Sequence, residues 1–461
     1  MTRARTQARH LQPLQATGDA PRRPLPSRLA MLIVGVLAMA ACGCAPAGAQ
    51  DGNSPGTSSG ARGPVLSADC LTHAPRCYTP QAVRAAYGVQ PLLDRGVNGH
   101  GVTVLLPETA ETGPAQPPAV TDLRQDMADF DSRFGLSPAR VHVITTLAGP
   151  SVSPWLARLE EVQDTELVHA VAPKATIDEL LVDPADMSTP AKAAAEFSTV
   201  IRLASRRANV VSLSISFGEH FFTSGEVTAI HSALEYAESH HVTVVASSGD
   251  DGVLGKGSIT PPVKEVSLPA SDPLVLAVGG TSLQANAVTG AYGGETAWNS
   301  PPEGAGDSAA SGGGFSHLFA RPAYQDGVSG IGAMRGVPDV SADASPYTGM
   351  AIARSAPSET SMLTGGGGTS ASAPFWAGLI ALADQEAHHP LGFVNPAIYR
   401  IARSPRDHGA FHDITTGTST MVLTAPSGPV TITGYAAGSG WDPVTGWGSP
   451  DAQVLVPLLA R

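Results

Sequence analysis

Short apolar runs alternate with helix-type patterns over most of the chain. Val- and Ile-rich runs of five to seven residues predict strands, and longer patterns with a helical period predict helices between them. Such runs lack the strict alternation of a half-exposed strand, which favours a parallel sheet that is covered on both faces. We therefore predict an α/β, doubly wound, mainly parallel sheet with helices on both faces. The predicted strands are 102–106, 141–145, 175–181, 210–215, 242–247 and 274–278, and the predicted helices are 123–134, 155–170, 190–207, 224–240 and 370–386.

The N-terminal segment carries an apolar run of a different kind. Residues 29–41 are apolar or small and follow an arginine-bearing region. This run is too short to span a bilayer, so residues 1–41 are predicted to be a signal peptide. Met39-Ala-Ala-Cys42 is similar to a bacterial lipoprotein cleavage box, which makes Cys42 a candidate lipid anchor, and cleavage after Ala49 is the alternative. The Gly-, Ser- and Pro-rich residues 42–66 are predicted to be a flexible tether, and residues 67–461 a single catalytic domain.

The net charge and the cysteine content limit the class of partner and the cellular compartment. The net charge is -12, and six Arg with a single Asp lie within residues 1–41, so the remainder is strongly acidic. This balance excludes a basic nucleic-acid surface. An exported, acidic chain is expected outside the cytoplasm, in the cell envelope of a bacterium or beyond it. Cys70 and Cys77 are expected to form a local disulfide there, because no second Cys/His pair offers matching metal-ligand spacing.

Residues 364–386 contain the first candidate for chemistry. Four glycines run into Thr369 and Ser370, and an almost wholly apolar or small stretch follows. That stretch predicts a helix buried on all sides, with Ser370 at its positive end. A serine there suits a nucleophile, since the helix terminus stabilises developing negative charge. The alternative is an ordinary Ser/Thr helix cap after a flexible loop.

Residues 155–173 contain the second candidate. Glu160 and Asp164 are four positions apart and therefore share one face of the predicted helix. In a dry setting two such carboxyls share a proton, and the pair can then act as a base or an acid. The alternative is a solvated acidic face that includes Glu161 and Glu166.

Residues 242–252 contain the third candidate. An apolar strand ends in Ser-Gly-Asp250, and sites in open α/β sheets form at the carboxyl ends of strands. The alternative is turn chemistry, because Asp-Gly is a common turn former.

Together these stretches resemble the sedolisins, or serine-carboxyl peptidases. The resemblance runs from about Cys70 to the C-terminus, with the motifs in the expected order. They include Glu160-x3-Asp164, Val171-Ala-Pro173, Ser212-Leu-Ser-Ile-Ser-Phe-Gly218, Ser248-Gly-Asp250, Leu268-Pro-Ala270, Val278-Gly-Gly-Thr281, Glu295-Thr-Ala-Trp-Asn299, Ser311-Gly-Gly-Gly-Phe-Ser316, Val337-Pro-Asp-Val-Ser341, Gly368-Thr-Ser-Ala-Ser-Ala-Pro374 and Gly440-Trp-Asp-Pro-Val-Thr-Gly446.

The resemblance implies a subtilisin-like fold and a role for each acid. It makes Ser370 the nucleophile, Glu160 the general base, Asp164 its proton-sharing partner and Asp250 an oxyanion donor that must be protonated. That requirement implies an acid optimum, below about pH 5. Ordinary subtilisins place an Asp at the end of the first core strand and a His in the catalytic helix. Here that strand ends at Glu108, and His169 is interpreted as a packing residue.

The resemblance also implies one Ca²⁺ ion near the C-terminus. The ligands would be the carboxylates of Asp413 and Asp442 and the carbonyls of Ile414, Gly438 and Gly440. An all-oxygen set with two acids suits Ca²⁺ better than zinc. The alternative is a Gly/Asp-rich turn cluster that holds no metal.

Three candidate functions are compared on these observations. The favoured one is a secreted, acid-acting, calcium-bound endopeptidase, a monomer that acts on protein or peptide substrates. The second is a serine peptidase that works near neutral pH, against which the absent Asp and His argue. The third is a catalytically inactive cell-surface lipoprotein that uses the fold as a binding module. The presence of all four candidate catalytic residues argues against that one.

Overall fold

A computed structural model describes residues 78–110, 121–145, 156–257, 261–302, 306–356, 359–407 and 409–461. The predicted signal peptide, tether and Cys70–Cys77 disulfide lie outside these ranges. No helix within them combines the length and apolarity that crossing a membrane requires.

Eight strands form the central sheet, and all of the predicted strands are among them. They are β1 Thr103–Thr109, β2 Arg140–Thr145, β3 Thr176–Val182, β4 Val210–Leu213, β5 Thr243–Ser247, β6 Leu276–Ala285, β7 Tyr292–Ala297 and β8 Val340–Asp343. Their order is β7-β6-β5-β4-β1-β3-β2, and β8 also pairs with β6. Every pairing is parallel except β6 with β7. The predicted fold class, a doubly wound and mainly parallel sheet, is confirmed.

Nine α-helices are described, and the five predicted ones are present. They are α1 Pro80–Ala86, α2 Gln90–Asp94, α3 Leu123–Phe134, α4 Leu159–Val171, α5 Pro190–Ala204, α6 Ser224–Ser239, α7 Thr369–Ala387, α8 Asn395–Ala402 and α9 Ala452–Leu459. Helix α4 begins later than the predicted residue 155. Its start is set by a capping box, in which the Arg158 N–H donates to Glu161 Oε2 at 2.8 Å.

The remaining strands pair in twos outside the central sheet. The predicted hairpin over residues 421–433 is present, with strands Met421–Leu423 and Val430–Ile432. The other short strands are Thr121–Asp122, Leu156–Ala157, Phe217–Gly218, Ser267–Leu268, Asn299–Ser300, Ala309–Ala310, Gly314–Ala320, Met334–Val337, Ala351–Ala356, Glu359–Gly365, Phe411–His412 and Ser449–Pro450. Three 3₁₀ turns complete the described elements, at Pro184–Met187, Glu219–Phe221 and Ala323–Gln325.

The two faces of the sheet carry two separate cores. On one face, Val104 and Leu106 of β1 belong to the cluster that contains α4 and α7. On the other face, Leu105 packs with α5 and α6. This alternation follows from the period of two in a strand. It places the next residue of the series, Glu108, on the same face as α4 and α7.

Helix α7 is the buried centre of the first core. Its residues from Ala371 to Ala383 are all buried. It packs against α4, α9, β4, β5, β6 and β8. The predicted all-round burial is confirmed for Ala371 to Asp384, and the two ends of the helix, Ser370 and Gln385 to Ala387, are partly exposed.

Candidate active site

Ser370 is the second residue of α7 and is partly exposed. The residue that precedes the helix, Gly368, has φ +79°, which an L side chain rarely adopts. A Cβ at Gly368 would also lie 2.7 Å from Asp250 Oδ2. Glycine is therefore required here both by the turn and by the close approach of Asp250, and the turn presents Ser370 at the helix N-terminus.

Asp250 lies at the same helix mouth. It follows β5 and its Oδ1 accepts hydrogen bonds from the N–H of Thr369 at 2.8 Å and from Thr369 Oγ1 at 2.7 Å. The Gly249 N–H donates to the same hydroxyl at 3.1 Å. Three bonds thus fix the Ser-Gly-Asp turn against the start of α7 and leave Oδ2 beside Gly368.

Glu160 reaches Ser370 from α4. The Ser370 hydroxyl lies next to the Glu160 carboxyl, and this contact lowers the Glu160 pKa. Burial has the larger, opposite effect, and with the charges of Asp250 and Glu161 it raises the pKa of Glu160 to about 7. A carboxyl with this pKa next to a serine can take up the hydroxyl proton in mildly acidic or neutral solution.

Asp164 lies behind Glu160 and is fully buried. Its Oδ2 accepts a hydrogen bond from Ser214 Oγ at 2.5 Å. Burial raises the Asp164 pKa well above its ordinary value, and the Glu160 carboxyl raises it further. The neutral form of Asp164 is therefore favoured, so the pair holds one proton across a wide pH range.

Two further carboxyls extend the cluster, and sequence reasoning assigned neither of them to the site. Glu108 and Glu179 are 2% and 1% exposed, and the Glu108 carboxyl lies next to that of Asp164. Burial raises the Glu108 pKa well above its ordinary value and raises the Glu179 pKa to about 8. Thr165 Oγ1 donates to Glu179. Both residues were detectable from strand period, since Val104-Leu106-Glu108 and Ile177-Glu179 each continue an inward-facing series.

The remaining buried oxygens support shared protons. Each of four carboxyls has one buried oxygen that accepts no hydrogen bond from an N–H or O–H group in the described part of the chain. These oxygens are Glu108 Oε1, Glu160 Oε1, Asp164 Oδ1 and Glu179 Oε2. Buried acceptors without donors are costly unless neighbouring acids carry the missing hydrogens. The acids of this cluster therefore share protons with one another close to the Ser370 hydroxyl.

Two other acidic or basic residues have local roles. His169 is buried, and its Nε2 lies 2.9 Å from Asp131 Oδ1 on α3. This contact is consistent with the packing role that the sequence predicts for His169. Asp251 follows Asp250, and burial together with the Asp250 charge raises its pKa to about 6.

The five predicted calcium ligands come from two segments that the fold brings together. The Gly440 N–H donates to both oxygens of Asp413, at 3.1 and 3.0 Å, and the Gly438 N–H donates to Asp442 Oδ2 at 3.1 Å. Asp413 is exposed and Ile414 is buried beside it. Both carboxylates therefore border the 438–440 segment, and the donor set fits Ca²⁺.

Two observations count against the fit to Ca²⁺. Asp442 already accepts the N–H groups of Val444 and Thr445 at 2.8 and 2.9 Å and the Thr445 hydroxyl at 2.9 Å. Within the described ranges, no three His, Cys, Asp or Glu side chains converge as a metal-binding group. Carbonyl oxygens would have to complete the coordination, as the predicted set requires.

Comparisons with known proteins show the family to which the chain belongs. The model of the subtilase family matches residues 145–397. Kumamolisin from Bacillus sp. (strain MN-32) is 31% identical over 84% of this chain and 65% of its own length. Sedolisin from Pseudomonas sp. (strain 101) is 31% identical over 73% of this chain and 55% of its own. The chain thus spans only about 55–65% of the length of these relatives.

A solved structure gives the same result for the fold. The Pseudomonas sedolisin, a serine-carboxyl proteinase complexed with two molecules of pseudo-iodotyrostatin, superposes with a TM-score of 0.66 at 28% identity. The match covers 83% of this chain and 97% of that one. The family match, the two relatives and the shared fold together confirm the resemblance drawn from the motifs. The chain belongs to the subtilase family and, within it, to the sedolisins.

Proposed function

We propose that this protein is an exported serine-carboxyl endopeptidase that hydrolyses protein or peptide substrates in acidic solution. The observation that carries the proposal is the meeting of three groups at the mouth of α7. The Ser370 hydroxyl lies next to the Glu160 carboxyl, and Asp250 is fixed to the adjacent Thr369. A nucleophile, a proton acceptor and an acid able to bind an oxyanion are the parts that acyl transfer requires.

In the proposed first step, Ser370 Oγ attacks the carbonyl carbon of the scissile peptide and its proton passes to Glu160. The carbonyl oxygen becomes an oxyanion, which accepts a hydrogen bond from the protonated carboxyl of Asp250. The intermediate then collapses as Glu160 returns the proton to the leaving amine, and an ester on Ser370 remains. Water then attacks the ester carbonyl carbon and gives one proton to Glu160. The intermediate collapses with cleavage of the bond to Ser370 Oγ, which takes the proton back from Glu160, and the carboxylic acid product is released.

Asp164 and Glu108 support the base in this proposal. Asp164 holds a proton that it shares with Glu160, so the pair never carries two full charges in its buried position. Ser214 holds the Asp164 carboxyl in place through the 2.5 Å bond. Glu108 contributes a second buried acid next to Asp164.

Two opposing requirements set the pH range. Glu160 must be ionised to accept a proton, and burial places its pKa at about 7, so kcat/KM falls as the pH decreases below that value. Asp250 can donate a hydrogen bond to the oxyanion only as a neutral carboxyl, which is the opposite demand. Because the two requirements oppose each other, we propose an optimum in mildly acidic solution.

The proposal also covers the metal ion, the cellular location and the oligomeric state of the enzyme. We propose that Asp413, Ile414, Gly438, Gly440 and Asp442 hold one Ca²⁺, which cross-links two C-terminal segments. We propose export through residues 1–41, with Cys42 as a lipid anchor, and a monomeric enzyme. These proposals rest on the sequence patterns, and the calcium proposal also rests on the arrangement of the two carboxylates.

One experiment tests the catalytic and calcium proposals together. Casein digestion is measured from pH 3 to pH 8 for the parent chain, Ser370→Ala and Glu160→Gln, with and without a calcium chelator. We expect mildly acidic activity that both substitutions reduce by at least about 10³-fold and that the chelator lowers. An optimum at neutral pH would favour a subtilisin-type mechanism. Equal digestion by parent and Glu160→Gln would exclude the proposed base, and no digestion by the parent would favour a binding module.

A further inference from the structure

Gln163 lies on the catalytic face of α4 and has no assigned role. It is three positions after Glu160 and one before Asp164, so these residues share or border one helical face. Its side chain is 3% exposed. A buried amide between two catalytic carboxyls is unusual, because an apolar residue of similar size would fill the same space without burying polar atoms.

The Gln163 side chain contacts the loop that delivers Ser370. Its Oε1 accepts the N–H of Gly367 at 2.8 Å. A Cβ at Gly366 would lie 3.1 Å from the same oxygen, so the loop backbone packs directly on the amide. The α4 face that carries Glu160 is thereby joined by one hydrogen bond to a residue three positions before the nucleophile.

The neighbouring glycines are held by a different part of the fold. The N–H of Gly366 donates to the Met350 carbonyl at 2.8 Å, and the N–H of Gly368 donates to the Ala344 carbonyl at 2.7 Å. Both acceptors are backbone groups of the segment that follows β8. Of these three successive N–H groups, the N–H of Gly367 is the one that donates to a residue of α4. The contact therefore controls the position of the loop relative to Glu160.

The other end of the amide is consistent with this role. Gln163 Nε2 is buried and has no hydrogen-bond partner within the described ranges. Leaving a donor unpaired is unfavourable, so the useful part of the side chain is the acceptor oxygen. An acceptor is what a backbone N–H in a tight glycine loop requires.

We propose that Gln163 is a positioning residue that sets the distance between the Glu160 carboxyl and the Ser370 hydroxyl through its bond to Gly367. The proposal rests on the proposed serine-carboxyl mechanism. Displacement of a reacting group by about 1 Å can cost on the order of 100-fold in rate, so a single hydrogen bond at this place has a large effect on catalysis.

Two variants separate the acceptor from the volume of the side chain. Gln163→Leu keeps the size and removes the acceptor, whereas Gln163→Glu keeps a carboxyl oxygen that accepts from Gly367. For a peptide substrate in mildly acidic buffer, we expect Gln163→Leu to lower kcat by about tenfold or more with KM within about twofold. We expect Gln163→Glu to keep kcat within about threefold of the parent.

The number of correctly folded active sites, called competent sites, is measured in each variant. A loss of activity through misfolding can then be distinguished from a displaced Ser370. A peptide aldehyde titrates them, because the Ser370 Oγ–H adds across the aldehyde C=O to give a hemiacetal. A kcat per competent site in Gln163→Leu within twofold of the parent would overturn the proposal. It would also be overturned if Gln163→Glu lost as much activity per competent site as Gln163→Leu.

A second measurement does not depend on activity. Hydrogen–deuterium exchange of the 365–368 segment reports the protection of the Gly367 amide. We expect faster exchange in Gln163→Leu and parent-like exchange in Gln163→Glu. Unchanged protection in Gln163→Leu would overturn the inference even if the parent cleaves peptides. An inactive parent would instead refute the proposed function and leave this measurement to decide the contact.

Discussion

Lys256 is an exposed cation on the loop that follows Asp250. Its charge lowers the pKa of both Glu160 and Asp251, although it is not the main influence on either. Its backbone is fixed beside Gly218, whose N–H donates to the Lys256 carbonyl at 3.0 Å. Lys256 therefore allows the pKa of the base to be changed without touching a buried group.

We expect Lys256→Gln to raise the Glu160 pKa, because a positive charge that favours the carboxylate is lost. The acid limb of the kcat/KM profile should then move to higher pH by a few tenths of a unit, and the change should shrink in 1 M salt. The control is Lys264→Gln, since Lys264 is exposed and lies over the Tyr435 ring at 5.0 Å. A shift toward lower pH in Lys256→Gln would contradict this electrostatic assignment.

At the scale of elements, the site depends on how closely α4 and α7 pack. A Cβ at Gly378 of α7 would lie 2.7 Å from Val171 Cβ and 2.9 Å from Val171 Cγ1 at the end of α4. Glycine at this position lets the two helices approach. The catalytic groups lie at the other end of the same pair of helices, so their spacing follows from this contact.

We expect Gly378→Ala to lower the free energy of unfolding by about 1–3 kcal/mol, because the added methyl group overpacks the contact with Val171. It should also lower kcat by displacing Glu160 relative to Ser370. Gly225→Ala is the matched control, since Gly225 is in α6 and its added Cβ would meet nothing within 4 Å. Urea unfolding and kcat of both variants check this. If the two variants were equally stable, the close helix contact would not be limiting.

At the scale of the whole molecule, several buried carboxyls hold protons that an unfolded chain would release. The pKa of Glu179 is raised to about 8, and those of Asp343 and Asp384 are raised to about 7, mainly by burial in each case. Between about pH 5 and pH 7 the folded state binds more protons than the unfolded state, so stability falls as the pH rises. Below the ordinary pKa of these acids both states are protonated, and this stabilisation is fully present.

We therefore expect the melting temperature to be higher at pH 5 than at pH 7, by at least about 5 °C. Each proton held only by the folded state contributes a slope of about 1.4 kcal/mol per pH unit. Glu179→Gln should flatten the dependence, because it removes one of these groups while keeping the shape of the side chain. Calorimetry across this range checks the prediction, which a melting temperature that rises with pH would refute.

The pattern along the chain predicted six of the eight strands of the central sheet and five of the nine described α-helices. The apolar runs at 102–106 and 242–247 and the buried stretch after Ser370 are local signals, since strand and helix periods depend on neighbouring residues. The motifs around Ser370, Glu160 and Asp250 were recognisable for the same reason. The pattern failed at the start of α4, where the Arg158–Glu161 capping box overrides the apolar run before it.

What the amino-acid sequence alone determined is therefore the fold class, the longer helices, most strands of the central sheet, the family and the candidate catalytic residues. The tertiary structure decided which acids share protons, because Glu108 and Glu179 come from strands that are adjacent in the sheet and distant in the chain. It also decided that Gln163 contacts Gly367, across about 200 residues of sequence. Burial and charge coupling act through space, so the pKa values of this site exist only once the sheet and its two central helices have packed.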